Sequence, residues 1–193
     1  SNTAIAQEEF VETVVHGGKR GLAFLEKNEP CVVDCETTLI AFFHASQIWG
    51  TSFPDSKYQE LTRLGLPTDE ATRAAAQKVY NFLDGWDTIN TVPPVYRERV
   101  RGHFSPDISS VLWAGCYSVA DVVEEVVSED CASDLNSVEL GASLERIWQD
   151  EQLATSLRFW VGQNEYALKY RPEIQALTDA AIQTIDDELE RRQ

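Results

Sequence analysis

Four cysteines and a histidine set among aromatics are the residues of this chain whose types could do chemistry. Cys31 and Cys35 are one helical turn apart, so on a helix both thiols share a face. With Glu36, His44, Cys116 or Cys131 they could supply the four nitrogen or sulfur ligands that zinc takes. Such a site normally carries a second tight pair, and Cys116 and Cys131 are far apart in the chain. The Cys31–Cys35 spacing also differs from the C-x-x-C of redox-active dithiols. The expectation is therefore four buried or part-buried free thiols in a reducing compartment, the cytoplasm, with no metal and no cofactor assigned. His44 lies beside Phe42, Phe43, Ile48 and Trp49, which predicts a hydrogen-bonded core histidine. A repeated Glu-x-x-His pair, the mark of di-iron bundles, is missing.

His16-Gly17-Gly18-Lys19 resembles, over four residues, the His-x-x-Lys-Gly of phosphotransfer helices. Two glycines directly after the histidine would disrupt the helix that such a histidine needs. A histidine at a helix C-terminus next to a glycine stop is the expected reading. No nucleophile–base pairing can be placed, so no catalytic residue is assigned.

Charge gives two further candidates. Tyr96, Arg97, Arg99, Arg101 and His103 form a basic cluster. On a helix Arg97 and Arg101 share a face while Arg99 points elsewhere, and their guanidinium forks suit a carboxylate or phosphate. They are a weak anion-binding candidate, with pairing to the chain's own acids as the competing expectation. The opposite charge is more abundant: 32 acidic against 16 basic residues, a net −16. Between Phe104 and Glu151 eleven carboxylates face one base, Arg146, so this stretch carries −10. Its densest part is Asp121, Glu124, Glu125, Glu129, Asp130 and Asp134, expected around a helix end, where carboxylates oppose the helix dipole at about 0.3–1 kcal/mol each. The charge disfavours nucleic acid and anionic membrane as partners and favours a basic protein or peptide segment. Calcium is disfavoured because the Asp-x-Asp-x-Asp-Gly loop is absent.

The elements that must position these residues are helical. Phe10, Val11, Val14 and Val15 make one stripe ending at Gly17-Gly18, and a short piece follows at 22–25. From Cys31 to Trp49 the chain is apolar on most sides, the mark of a central helix. A short helix follows from Asp55 to Leu64. Thr68 is expected to cap the next, with Ala75, Val79, Phe82, Leu83 and Trp86 as its buried stripe. Ser105-Pro106 opens a helix whose inner face runs from Ile108 and Leu112 on to Val119 and Val126. Leu144, Ile147, Leu153, Leu157, Trp160 and Val161 continue the core. Arg171-Pro172 is expected to break the chain before a last amphipathic helix carrying Ile174, Leu177, Ala181, Ile185 and Leu189.

These signals predict an all-α, irregular bundle of about eight helices with no significant sheet, one domain over 1–193, and no apolar run of about 20 residues able to span a bilayer. Three functions fit. The first is a non-enzymatic binding protein of chaperone, adaptor or inhibitor type that captures a basic segment on its acidic surface. The second is a helical pocket protein holding an apolar or aromatic ligand among its five tryptophans, beside Gly115 or Gly162. The third is an enzyme assembled from Cys31, Cys35, Glu36, His44 and the arginines.

Overall fold

The computed structural model describes residues 2–27, 29–49, 56–90, 94–120, 124–128, 131, 135 and 137–192. Its elements are α1 (Asn2–Lys27), α2 (Cys35–Ala45), α3 (Ser56–Arg63), α4 (Glu70–Asn90), α5 (Val95–Arg101), α6 (Pro106–Cys116), β1 (Tyr117–Ala120), β2 (Glu124–Val127), α7 (Ser137–Gln149) and α8 (Leu153–Arg191). The fold is all-α: among the described residues there are eight helices and one two-stranded antiparallel sheet. No described helix is long and apolar enough to cross a membrane.

Packing groups the chain into two compact units, Ser1–Thr51 with Pro93–Leu168, and Ser52–Val92 with Lys169–Gln193. The first holds the main core. Phe10, Val14, Leu39, Phe42, Phe43, Ile108, Leu112, Leu144, Ile147, Leu153 and Leu157 are all buried there, as the periodicity predicts. α2 is its most apolar element, with every residue from Thr38 to Ala45 buried.

The sequence places a helix stop at Gly17-Gly18, but α1 continues through both and absorbs the separate piece expected at 22–25. The glycines serve close approach. A Cβ on Gly17 would lie 2.6 Å from the Ala41 carbonyl oxygen, and one on Gly18 2.3 Å from Val161 Cγ2. One on Gly21 would lie 2.9 Å from Phe42 Cε1. Glycine costs about 1 kcal/mol against alanine inside a helix, and the contact it permits with α2 and α8 offsets that loss.

Three other boundaries move. α2 begins only at Cys35, leaving Val32 and Val33 exposed at 88% and 76%. Its end is fixed by side chains that take its last carbonyls: Trp160 Nε1 donates to Ala45 O at 2.7 Å, and Arg97 and Arg101 donate to Ser46 O. The helix opened by Ser105, whose hydroxyl accepts the Ile108 N–H as expected, stops at Cys116. The valine-rich stretch after it is a hairpin, with Tyr117 opposite Val127 and Ala120 opposite Glu124. β-Branched residues lose less rotamer freedom in a strand than in a helix. Finally, α8 passes through Pro172 without ending. One proline removes a single backbone hydrogen bond, and residues on both sides are good helix formers.

The second unit contains α3, α4 and α8 from Lys169 onward. α3 closes with a Schellman turn in which Leu66 N donates to Leu61 O and Gly65 N to Thr62 O. Gly65 takes φ +72° there, a conformation glycine adopts without steric cost. Asp69, one residue beyond the expected Thr68, caps α4: its carboxylate accepts both the N–H and the hydroxyl of Thr72 at 2.8 Å. Those bonds hold the Asp69 carboxyl below its usual range. Tyr58 stacks on Tyr80 with centroids 4.0 Å apart.

Candidate functional site

The chemistry-bearing residues of the first unit gather around the C-terminal end of α2. His44, Ser46 and Gln47 are buried there. α5 runs past this end and places its arginines on two sides. Arg97 and Arg101 both reach the Ser46 carbonyl oxygen, and Arg101 also donates to Ser46 Oγ at 3.0 Å and Gln47 Oε1 at 3.1 Å. The Arg101 guanidinium lies 4.6 Å from the Trp113 ring centroid and 5.6 Å from that of Phe43. Burial is the main cause that lowers its pKa to about 10, with the neighbouring Arg97 adding to it. Two cations at the negative end of α2 complement its dipole. On the same helix, α5, Tyr96 is fully buried and donates its hydroxyl to Phe42 O at 3.0 Å. That burial raises the Tyr96 pKa well above the ordinary value.

Arg99 points away from this pair, as the helical spacing predicts. Its two terminal nitrogens meet Asp150 Oδ1 at 2.9 Å and Gln152 Oε1 at 2.7 Å. His103 Nε2 lies 3.0 Å from Asp150 Oδ2. Desolvation raises the Asp150 pKa, but the bonds from His103, Arg99 and the Gln152 N–H outweigh it and leave the carboxyl below its usual range. Arg146, the lone base of the acidic stretch, donates to His103 O at 2.8 Å. The anion that this side of the basic cluster holds is thus the chain's own Asp150. Arg97, Arg99 and Arg101 do not converge on one point.

The cysteines differ most from expectation. All four are paired, Cys31 with Cys35 and Cys116 with Cys131, and no free thiol remains. Sequence spacing could not reveal the second pair, because the β1–β2 hairpin is what brings residues 116 and 131 together. His44 packs against that pair: its Nε2 lies 3.8 Å from Cys131 Sγ. Its ring also hydrogen-bonds the backbone of Ser128, while the Ser128 N–H donates to Cys116 O at 3.1 Å. Desolvation lowers the His44 pKa to about 4, against the raising effect of the Ser128 bond, so the imidazole is neutral at physiological pH.

Among the acidic candidates, Asp121, Glu129, Asp130 and Asp134 lie outside the described residues. Glu124 and Glu125 open β2, where their backbones pair with Ala120 and Val119; their side chains also lie outside the described set. They are strand residues, so the expected opposition to a helix dipole does not apply to them. Of the tryptophans, Trp160 is buried at 6% exposure, Trp49 and Trp148 are half-buried with Trp49 edge-on to Phe10, Trp113 is exposed at 38%, and the side chain of Trp86 lies outside the described set. Gly115 and Gly162 are exposed on their helices.

Compared with known protein families, with characterised proteins and with solved structures, the chain matches none.

Proposed function

We propose that this chain is a non-enzymatic helical binding protein that captures a basic protein segment on its acidic surface. The observation that carries the reading is how its charge is distributed. The net charge is −16, and several of the sixteen basic residues are turned onto the protein's own carbonyl oxygens. Arg73 donates to Pro67 O, Arg97 and Arg101 to Ser46 O, and Arg146 to His103 O. Arginines placed this way tie down carbonyls at helix ends and in loops, and surface carboxylates such as Glu9, Glu12, Glu60, Glu145 and Glu151 are exposed to solvent. Asp121, Glu124, Glu125, Glu129, Asp130 and Asp134 are the residues this reading assigns to the partner.

A lysine- and arginine-rich peptide titrated into the intact protein tests the proposal. Binding is expected at low salt and should vanish near 1 M salt, where the Debye length is about 3 Å. Replacing the six carboxylates by their amides should weaken the peptide uniformly while leaving the helical circular dichroism unchanged. Affinity indifferent to salt, or unaltered in the six-fold variant, removes the reading.

A further inference from the structure

We propose that His44, Cys116 and Cys131 form a site for a thiophilic divalent cation, zinc in particular, when the Cys116–Cys131 disulfide is reduced. The proposal is independent of the acidic-surface reading. Its basis is geometric. The ligand atoms of these three buried residues all lie within 4.8 Å of one another. They are the one such group of three among the described residues. Two thiolates and an imidazole are a ligand set that zinc accepts, with the fourth corner left to water. Tetrahedral zinc bonds of about 2.3 Å to sulfur and 2.0–2.1 Å to nitrogen separate sulfur from nitrogen by about 3.6 Å. Cys131 Sγ and His44 Nε2 already stand 3.8 Å apart.

The surroundings also fit a ligating histidine. Metal-bound imidazoles usually have their second nitrogen fixed by a backbone or carboxylate acceptor. The His44 ring hydrogen-bonds the Ser128 backbone, and Ser128 is itself tied to Cys116. One short segment therefore orients the imidazole and anchors one of the thiols. The Cys31–Cys35 pair is more exposed and belongs to no such group.

The chemistry balances as two steps. A dithiol reductant transfers two electrons and two protons to the Cys116–Cys131 bond and becomes a cyclic disulfide. Zinc then displaces the two thiol protons, and both sulfurs and the neutral His44 nitrogen donate to the metal.

The test uses the full chain carrying Cys31→Ser and Cys35→Ser, reduced with a dithiol that is then removed without air. Cobalt(II) is the probe. One equivalent should bind with sulfur-to-metal charge-transfer and tetrahedral absorption bands, and zinc should displace it. The oxidised protein should bind none. His44→Gln and Cys131→Ser should each weaken cobalt by about tenfold or more. X-ray absorption of the zinc-loaded parent should count two sulfur ligands and an imidazole, which reads the histidine even if His44→Gln fails to fold. A reduced protein that keeps its helical spectrum and takes no cobalt overturns the proposal. So does a reduced protein that unfolds and is not restored by zinc, or a zinc centre lacking imidazole.

Discussion

Replacing Gly17 by alanine should destabilise this protein, although the same exchange in an ordinary helix stabilises it. Alanine gains about 1 kcal/mol over glycine in a helix interior, through propensity alone. At position 17 the new methyl would lie 2.6 Å from Ala41 O and 3.1 Å from Ala45 N. Both are backbone atoms, so no side chain can rotate away. Reaching an ordinary van der Waals separation requires α1 and α2 to part by about 0.8 Å, and a gap of that size forfeits a quarter to a half of the dispersion attraction of the atoms involved. Overpacking of this kind costs about 1–3 kcal/mol, up to more in rigid sites. The net expectation is a loss of about 1 kcal/mol, or a Tm lower by about 2–4 °C for a chain of this size. Gly162 and Gly141 are the controls, because a Cβ at either meets nothing within 4 Å. Gly162→Ala should gain up to about 1 kcal/mol. Urea unfolding followed by circular dichroism measures all three. A Gly17→Ala protein as stable as its parent, or moving in the same direction as Gly162→Ala, refutes the argument that the glycine is there for close packing.

The other expected outcomes concern the end of α2 and its surroundings. In the disulfide-bonded, metal-free protein, His44 binds its proton only near pH 4, against about 6.5 when unfolded. The unfolded chain therefore holds more protons between those values. Stability is full above pH 6.5 and should fall by up to about 3 kcal/mol toward pH 4. His44→Gln should flatten that part of a stability–pH profile, and an unchanged slope counts against the burial argument. Cys116–Cys131 closes a loop with a sequence separation of 15, and Cys31–Cys35 one of 4. Their loss should cost about 3 and about 2 kcal/mol respectively on chain-entropy grounds, read from single-pair serine variants in the same denaturation assay. Arg101→Ala removes the donors to Ser46 and Gln47 and the stack on Trp113. A loss of about 2–4 kcal/mol is expected from calorimetry, with Arg101→Lys recovering only part of it because lysine lacks the planar fork.

The stripes of apolar residues announced the all-helical fold and most of its core. Phe10, Val14, Leu39, Phe42, Leu112, Ile147 and Leu157 are buried as their three- and four-residue spacing requires. Ser105-Pro106 marked a helix start correctly, because a cap is a local hydrogen bond. Arg99 could be separated from Arg97 and Arg101 for the same reason, since helical phase is local. Gly17-Gly18 and Pro172 misled. The cost of each is about a kcal/mol or a few; packing against α2 and α8 offsets it at the glycines, and the good helix formers on both sides carry α8 through the proline. The run of valines after Val111 misled as well, because its periodicity suits a helix while its β-branching suits a strand.

What sequence alone determined is everything that depends on neighbours within a turn: helical phase, capping, the apolar face, and the excess of negative charge. Tertiary structure decided which residues meet. It joined Cys116 to Cys131 through a hairpin, set His44 against them, and directed two arginines onto the Ser46 carbonyl just past α2. It also divided the chain so that 52–92 and 169–193 form one unit. Contacts between residues tens of positions apart depend on how faces pack in three dimensions, and that information is spread over the whole chain rather than written at either residue.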